Sequence, residues 1–239
     1  MPSQFVFEEF MTPLLAGNRV QCRSTLVEEV AGTADPKQLY HDMLWPAMQR
    51  VEQLYRGDRI NAAAEHMATR ILRSLADQLQ SHLMQQVRNG KTILITCADG
   101  ETEELGAQMC SDLFEARGWE TYFLGAGVPN DEIYALVGQL RPEILLIFGT
   151  QPQGVPGVRH MIDMIREIGV NPTMNIMVSG GVFNRADGLW KEVNADLTAK
   201  TAVDAISLAE SAEPRKPVIP QPGAPKKRRR RRRQPVATG

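Results

Sequence analysis

The chain has 239 residues, 43% of them hydrophobic, enough for two modest domains with buried cores. No apolar run reaches the roughly 18 residues of a membrane span, and the acidic start MPSQFVFEEF lacks the basic n-region of a secretory signal, so a cytoplasmic location and no membrane role are expected. The net charge of −1 hides an asymmetry: residues 212–239 hold ten basic residues and one acid, a net of +9, which leaves −10 on the rest.

Residues 5–29 read as helix, with apolar residues at Phe10, Leu14 and Leu15 and again at Val20, Leu26 and Val30, broken around Ala16-Gly17-Asn18. A turn at Ala31-Gly32-Thr33 precedes Asp35-Pro36, a cap and first-position pair that opens the next helix. That helix carries Leu39, Met43, Met48, Val51 and Leu54, and Pro46 inside it predicts a kink. After the break at Gly57-Asp58, a long helix is predicted over 60–87, with Ala62, Ala63, Met67, Ile71, Leu75, Leu79 and Leu83 on one face. Residues 1–89 are therefore expected to form a bundle of about four helices.

Strands and helices alternate from Lys91. Strands are predicted at 92–97, 120–124, 144–148, 175–179 and 195–198, and helices at 102–116, 130–140, 155–168, 184–193 and 201–210. Five strands, each followed by a helix, predict an α/β domain over 91–211 with a doubly wound, five-stranded parallel sheet, Rossmann-like in form. Residues 212–239 are Pro-rich and then polyarginine, with too few apolar residues to fold, and are expected to be a disordered tail.

The stretch TILITCADGETEELG, residues 92–106, joins a buried strand to a turn and a helix. Ligands of open α/β sheets bind outside the carboxyl ends of such strands, which puts one wall of a small-molecule site at residues 99–106. Glu101, Glu103 and Glu104 bring three carboxylates to the place where phosphate-binding folds have glycines, an argument against a nucleotide phosphate. Gly125-Ala126-Gly127 lacks the third glycine of a dinucleotide fingerprint and follows the second strand. The three cysteines, Cys22, Cys97 and Cys110, are odd in number and lack metal-ligand spacing, which predicts buried free thiols in a reducing compartment.

The order of helical bundle and α/β unit, with several motifs inside it, resembles the cobalamin (B12)-binding family: a helical cap followed by a Rossmann-like domain. The resemblance runs from Phe5 to Glu210. The light-responsive regulators of that family carry Trp, nine residues, then Glu-His in the cap. Tyr55, nine residues, then Glu65-His66 has that spacing here, after Trp45-Pro46-Ala47-Met48, which is similar to the family's Pro-Ala element. The resemblance implies that Tyr55, Glu65 and His66 cover the upper face of a corrin. The family's lower-face motif is Asp/Glu-x-His-x-x-Gly, whose imidazole binds cobalt; here Glu101 and Gly106 keep the frame and Glu103 stands in the histidine position. Thr150, after the third strand, and Gly180-Gly181, after the fourth, are implied to contact the nucleotide tail of the cofactor. The cobalt ligands themselves stay unknown. The residue after the cap aromatic is Arg56, where light-responsive members have a second cobalt-binding His.

The expected function is a cobalamin-binding sensory or regulatory protein that is not an enzyme and acts through a regulatory protein partner or a change of homo-oligomeric state. The alternatives are a cofactor-free interaction module of the same fold and a corrinoid methyl carrier for a methyltransferase, to which the missing histidine is opposed. The run Lys226 to Arg233 attracts polyanions without reading base sequence, so nonspecific nucleic-acid binding is an expectation for the tail.

Overall fold

The computed structural model describes residues 4–32 and 35–217. The polyarginine run, and with it the expectations for a disordered, polyanion-binding tail, lies outside the described residues.

Helices α1 (Gln4–Leu15) and α2 (Arg19–Gly32) are separated where the sequence breaks, and Gly17 there takes a φ of 72°. Next come α3 (Lys37–Leu39), a π turn (Tyr40–Leu44) and α4 (Trp45–Arg56), one after another without a loop. Asp35 Oδ1 caps this rod by accepting from the Lys37 N–H at 3.1 Å. The predicted kink at Pro46 takes the form of the π turn, in which the Trp45 N–H reaches back to the Tyr40 carbonyl. Proline has no N–H to give the preceding turn and its ring crowds the carbonyl there; a wider turn relieves that clash.

Helix α5 (Ala62–Gln80) is capped by Asn61, whose side chain accepts from the Ala64 N–H at 2.9 Å. Asn61→Ala is expected to lower stability by about 1 kcal/mol, read as a shift of the urea midpoint. The helix stops at Gln80 and not near residue 87 as predicted. Leu83 is the last buried apolar residue, and Met84 and Val87 are exposed. The chain there runs extended and bonds the following domain, Gln86 N–H to Ala116 O and Asn89 N–H to Gly118 O, both at 2.9 Å.

The sheet contains β1 (Thr92–Cys97), β2 (Glu120–Gly125), β3 (Ile144–Phe148), β4 (Asn175–Ser179) and β5 (Leu197–Ala199), all parallel in the order 2-1-3-4-5. The connections are α6 (Leu105–Ala116), α7 (Asn130–Leu140), α8 (Val155–Ile168), and the short α9 (Gly181–Arg185) and α10 (Leu189–Glu192), with α11 (Ala202–Ser211) last. Three boundaries differ from expectation. Helix α6 starts at Leu105, not 102, the helix predicted over 184–193 is split into α9 and α10 around Gly188, whose φ is 79°, and the strand predicted at 195–198 is β5 at Leu197–Ala199.

The central strands β1, β3 and β4 bury both faces, which is why they read as continuous apolar runs, whereas the edge strand β2 is mostly half-buried or exposed. Ile93, Ile95, Leu146 and Phe148 join the cap and α6 in one core, together with Leu72, Leu75, Phe114 and Trp119. Leu94, Leu145 and Ile147 point the other way, into a second core with α7 and α8. Strand order reverses between β1 and β3, whose ladder ends at the Cys97–Phe148 pair. That switch point opens a crevice at the carboxyl ends of the strands.

Candidate functional site

A cleft of about 830 Å³ lies over that crevice, between α4 and the carboxyl ends of β1, β3 and β4. The α4 wall is a single stripe of Trp45, Met48, Gln49, Glu52, Tyr55 and Arg56, residues three and four apart and so on one helical face. Glu65 and Thr69 extend this wall from α5. Opposite lie Glu103, Leu105, Phe148, Thr150, Gly180 and Gly181.

Glu101 explains why α6 starts late. Its buried carboxylate accepts from the N–H groups of Thr102 at 3.1 Å and Glu103 at 3.0 Å, and from the N–H and hydroxyl of Thr150 at 2.5 and 2.8 Å. Three of these donors converge on Oε1 and one reaches Oε2. Glu101 is thus committed to folding the loop and pinning it to the end of β3, and Glu103 is what the loop presents to the cleft. Glu104 holds the other side of the loop, accepting from the Ala126 N–H at 2.8 Å and from Arg73 of α5 at 3.3 Å.

Six of the residues singled out in the sequence meet in the cleft: Tyr55, Glu65, Glu103, Thr150, Gly180 and Gly181. Glu101 and Gly106 lie buried beneath it as supports. His66 does not line it; its imidazole is 69% exposed and sits 3.7 Å from the Glu65 carboxylate, which itself accepts from the Thr69 hydroxyl at 3.0 Å. Sequence reasoning did not select Trp45, Glu52, Phe148, Asn184 or Arg185 as site residues. The first two were legible as partners of Tyr55 on the α4 stripe; the others reach the cleft only through strand pairing and the turn after β4. Arg185 bridges the cleft, donating to Glu52 of α4 and to the Thr150 carbonyl, the latter at 2.7 Å.

Burial, then the neighbouring carboxylates of Glu65, Glu101 and Glu52, push the Glu103 carboxyl up to about 7. Below the cleft, on the seam of cap and α6, burial does the same to Asp112, also up to about 7, against the hydrogen bond from Tyr40 at 3.0 Å. A carboxyl raised in the folded state binds protons there that the unfolded chain releases, so stability declines as pH rises from the ordinary carboxylate range through 7. The urea midpoint is expected to fall between about pH 5 and pH 8, and Asp112→Asn, which keeps an acceptor for Tyr40, is expected to flatten that fall.

The cleft has the chemistry of a site for a flat, amide-rimmed macrocycle. Trp45, Tyr55 and Phe148 supply aromatic surface, and Glu52, Gln49, Gln151 and Asn184 supply polar contacts. Two polar atoms of its lining are buried without a hydrogen-bond partner among the described residues: Trp45 Nε1, a donor, and Asn184 Oδ1, an acceptor. Buried polar groups of this kind are costly unless a ligand or water meets them. No group of three or more His, Cys, Asp or Glu among the described residues could hold a bare metal ion, so a cobalt here would arrive already chelated by its ring. The residues fit the macrocycle; they place a carboxyl at Glu103, and no imidazole, on its sheet side.

Comparisons with known proteins agree with this geometry. Residues 91–207 match a family model described as a B12 binding domain, and residues 6–80 match a second of the same description. The dimethylamine corrinoid protein 1 of Methanosarcina acetivorans is 21% identical over 82% of this chain and 94% of its own length. Its namesake in Methanosarcina mazei is 20% identical over 77% of this chain and 85% of its own length. Among solved structures, the monomethylamine corrinoid protein of Methanosarcina barkeri superposes with a TM-score of 0.78 at 17% identity, covering 86% of this chain and 97% of that one, and so shares the fold. The relatives are corrinoid proteins and not light-responsive regulators. With the two matches together spanning most of its length, this chain is a cobalamin-binding protein and belongs to the B12-binding domain families.

Proposed function

We propose that the chain is a corrinoid carrier, which holds a cobalt corrin in the cleft and presents it to a separate methyltransferase-type protein without catalysing a reaction of its own. The observation that carries the reading is the cleft itself, a stripe of aromatic and amide side chains on α4 facing the carboxyl ends of β1, β3 and β4 where strand order reverses. The carrier role is supported by relatives named as dimethylamine corrinoid proteins, which align with this chain over nearly their whole length. When bound, the cobalt supplies the chemistry of taking up and giving up a methyl group. The chain's own residues do the rest. Tyr55 and Trp45 would cover one side of the ring, Glu65 would meet its amides, and Arg185 fastens Glu52 of α4 to the Thr150 carbonyl after β3. Glu103 faces the cleft with a carboxyl that holds its proton to about pH 7. A cytoplasmic setting belongs to the same reading, in which Cys22, Cys97 and Cys110 stay free and buried.

Reconstitution tests it. Purified protein mixed with hydroxocobalamin and desalted should keep about one corrin per chain, read from the visible spectrum against the aromatic absorbance expected of a stoichiometric site. Loss of all colour on desalting would sink the reading. One observation favours a sensory role instead, the burial of Glu65 in the cap wall at the spacing of the light-responsive branch. Protein loaded with adenosylcobalamin separates the two. A carrier elutes identically from a sizing column in the dark and after illumination, and a light sensor changes its elution.

A further inference from the structure

Gly106, beneath the cleft, and Gly180 and Gly181, in its lining, would leave bare backbone for the cofactor's nucleotide tail, yet the chain's own atoms crowd the Cβ position of each. A Cβ built on Gly106 would lie 2.2 Å from the Phe148 ring, so that ring rests directly on the glycine. Phe148 is 2% exposed and forms the floor of the cleft at the end of β3, wedged between the start of α6 and the sheet. A Cβ on Gly180 would lie 2.3 Å from the Gly149 carbonyl oxygen, which shows that the ends of β3 and β4 press together there. Over Gly181 lie the mobile tips of the Arg185–Glu52 ion pair, which can swing aside, so the fixed part of the floor is at Gly106 and Gly180. The Glu101 carboxylate, with its two bonds to Thr150, ties the β1 loop to the end of β3.

An aromatic ring packed on backbone in this way leaves no channel for a second aromatic group, and moving it costs the contacts of a fully buried side chain. We propose that this protein recognises the corrin macrocycle alone, with the nucleotide tail kept outside the sheet by Phe148, and therefore takes tail-less corrinoids as readily as complete cobalamin. The proposal rests on the corrin-binding reading above and adds to it the class of corrinoid accepted. It also bears on the carboxyl at Glu103: with no tail beneath the ring, the sheet side of the cleft belongs to the macrocycle and to that side chain.

The test compares two probes, hydroxocobalamin and aquacobinamide, the second lacking the nucleotide tail, titrated into the full chain and followed by visible absorbance. The expected dissociation constants agree within about threefold, because contacts made by both ligands add equally to both affinities. Cobalamin bound more than about thirtyfold more tightly than cobinamide would overturn the proposal, since that ratio requires the tail to be held. Binding of neither would overturn the corrin reading itself and this proposal with it, an outcome plainly distinct from a preference. Phe148→Ala should open the floor and shift the ratio at least about fivefold towards cobalamin, and Phe148→Leu, a smaller change to the core, should shift it in the same direction. A ratio unmoved in both folded variants would overturn the assignment of the seal to Phe148.

Discussion

Glu101→Ala is expected to lower stability by about 2 to 5 kcal/mol and to abolish retention of the corrin, because buried donors left without an acceptor cost about 1–3 kcal/mol each. The carboxylate serves four donors at once, two in its own loop and two on the buried Thr150. A loss of that size is a large share of the 5–15 kcal/mol by which domains are typically stable. Urea unfolding gives the stability, and absorbance after desalting gives the bound corrin. Glu101→Gln keeps one carbonyl acceptor and should fall between the alanine variant and the parent in both measurements. A midpoint unchanged in Glu101→Ala would show that the loop is held by something else, with Glu104 and its bond to Ala126 the next candidate.

Glu103→His is expected to tighten cobinamide binding by about tenfold to a hundredfold, the range by which changes around a metal site move affinity. Cobalt suits nitrogen donors better than a carboxyl that keeps its proton to about pH 7. The imidazole would stand among Glu52, Glu65 and Glu101, the groups that now raise the Glu103 carboxyl. Carboxylates around a metal-bound histidine orient its ring and make it more basic. Cobinamide is the probe because it has no base of its own to compete. After reduction, nitrogen splitting in the electron paramagnetic resonance spectrum should appear with the histidine and be absent with the glutamate. Equal affinities and no splitting would show that residue 103 does not face the cobalt. The substitution also removes one of the two raised carboxyls, so the decline in stability between about pH 5 and pH 8 should become shallower.

Much of the fold was legible because the centre of the sheet is buried on both sides. Continuous apolar runs placed β1, β3 and β4 with the boundaries they have, and the Asn130 and Val155 helices likewise match α7 and α8. Boundaries shifted where a side chain competes with the helix for backbone groups. Residues 102–104 read as helix by composition, yet the Glu101 carboxylate takes the N–H groups of Thr102 and Glu103 and ties them to Thr150, 49 residues away from Glu101. No local pattern reports such a partner. The end of α5 was misread for a related reason, since residues 81–89 satisfy their backbone against Ala116 and Gly118. The cap side of the site was within reach, because Tyr55 implies its neighbours along one helical face, Glu52 and Trp45 among them. Phe148 was not: as the last residue of an apolar strand it looks like ordinary core, and its contact with Gly106 depends on how β3 lies beside α6.

The π turn ahead of α4 sets the aim of the cap. Tyr40, Met43 and Leu44 within it are buried, and Tyr40 bonds to Ala76 and Asp112. The stripe from Trp45 to Arg56 must instead point at the cleft. A π turn holds one residue more than an α turn, and each residue turns a helix by about 100°. The rod therefore carries two phases, one locked to the seam and one facing the cleft, and the extra residue is the offset between them. Its bearing on the cleft is fixed by chain length in that single turn, independently of which side chains line the stripe.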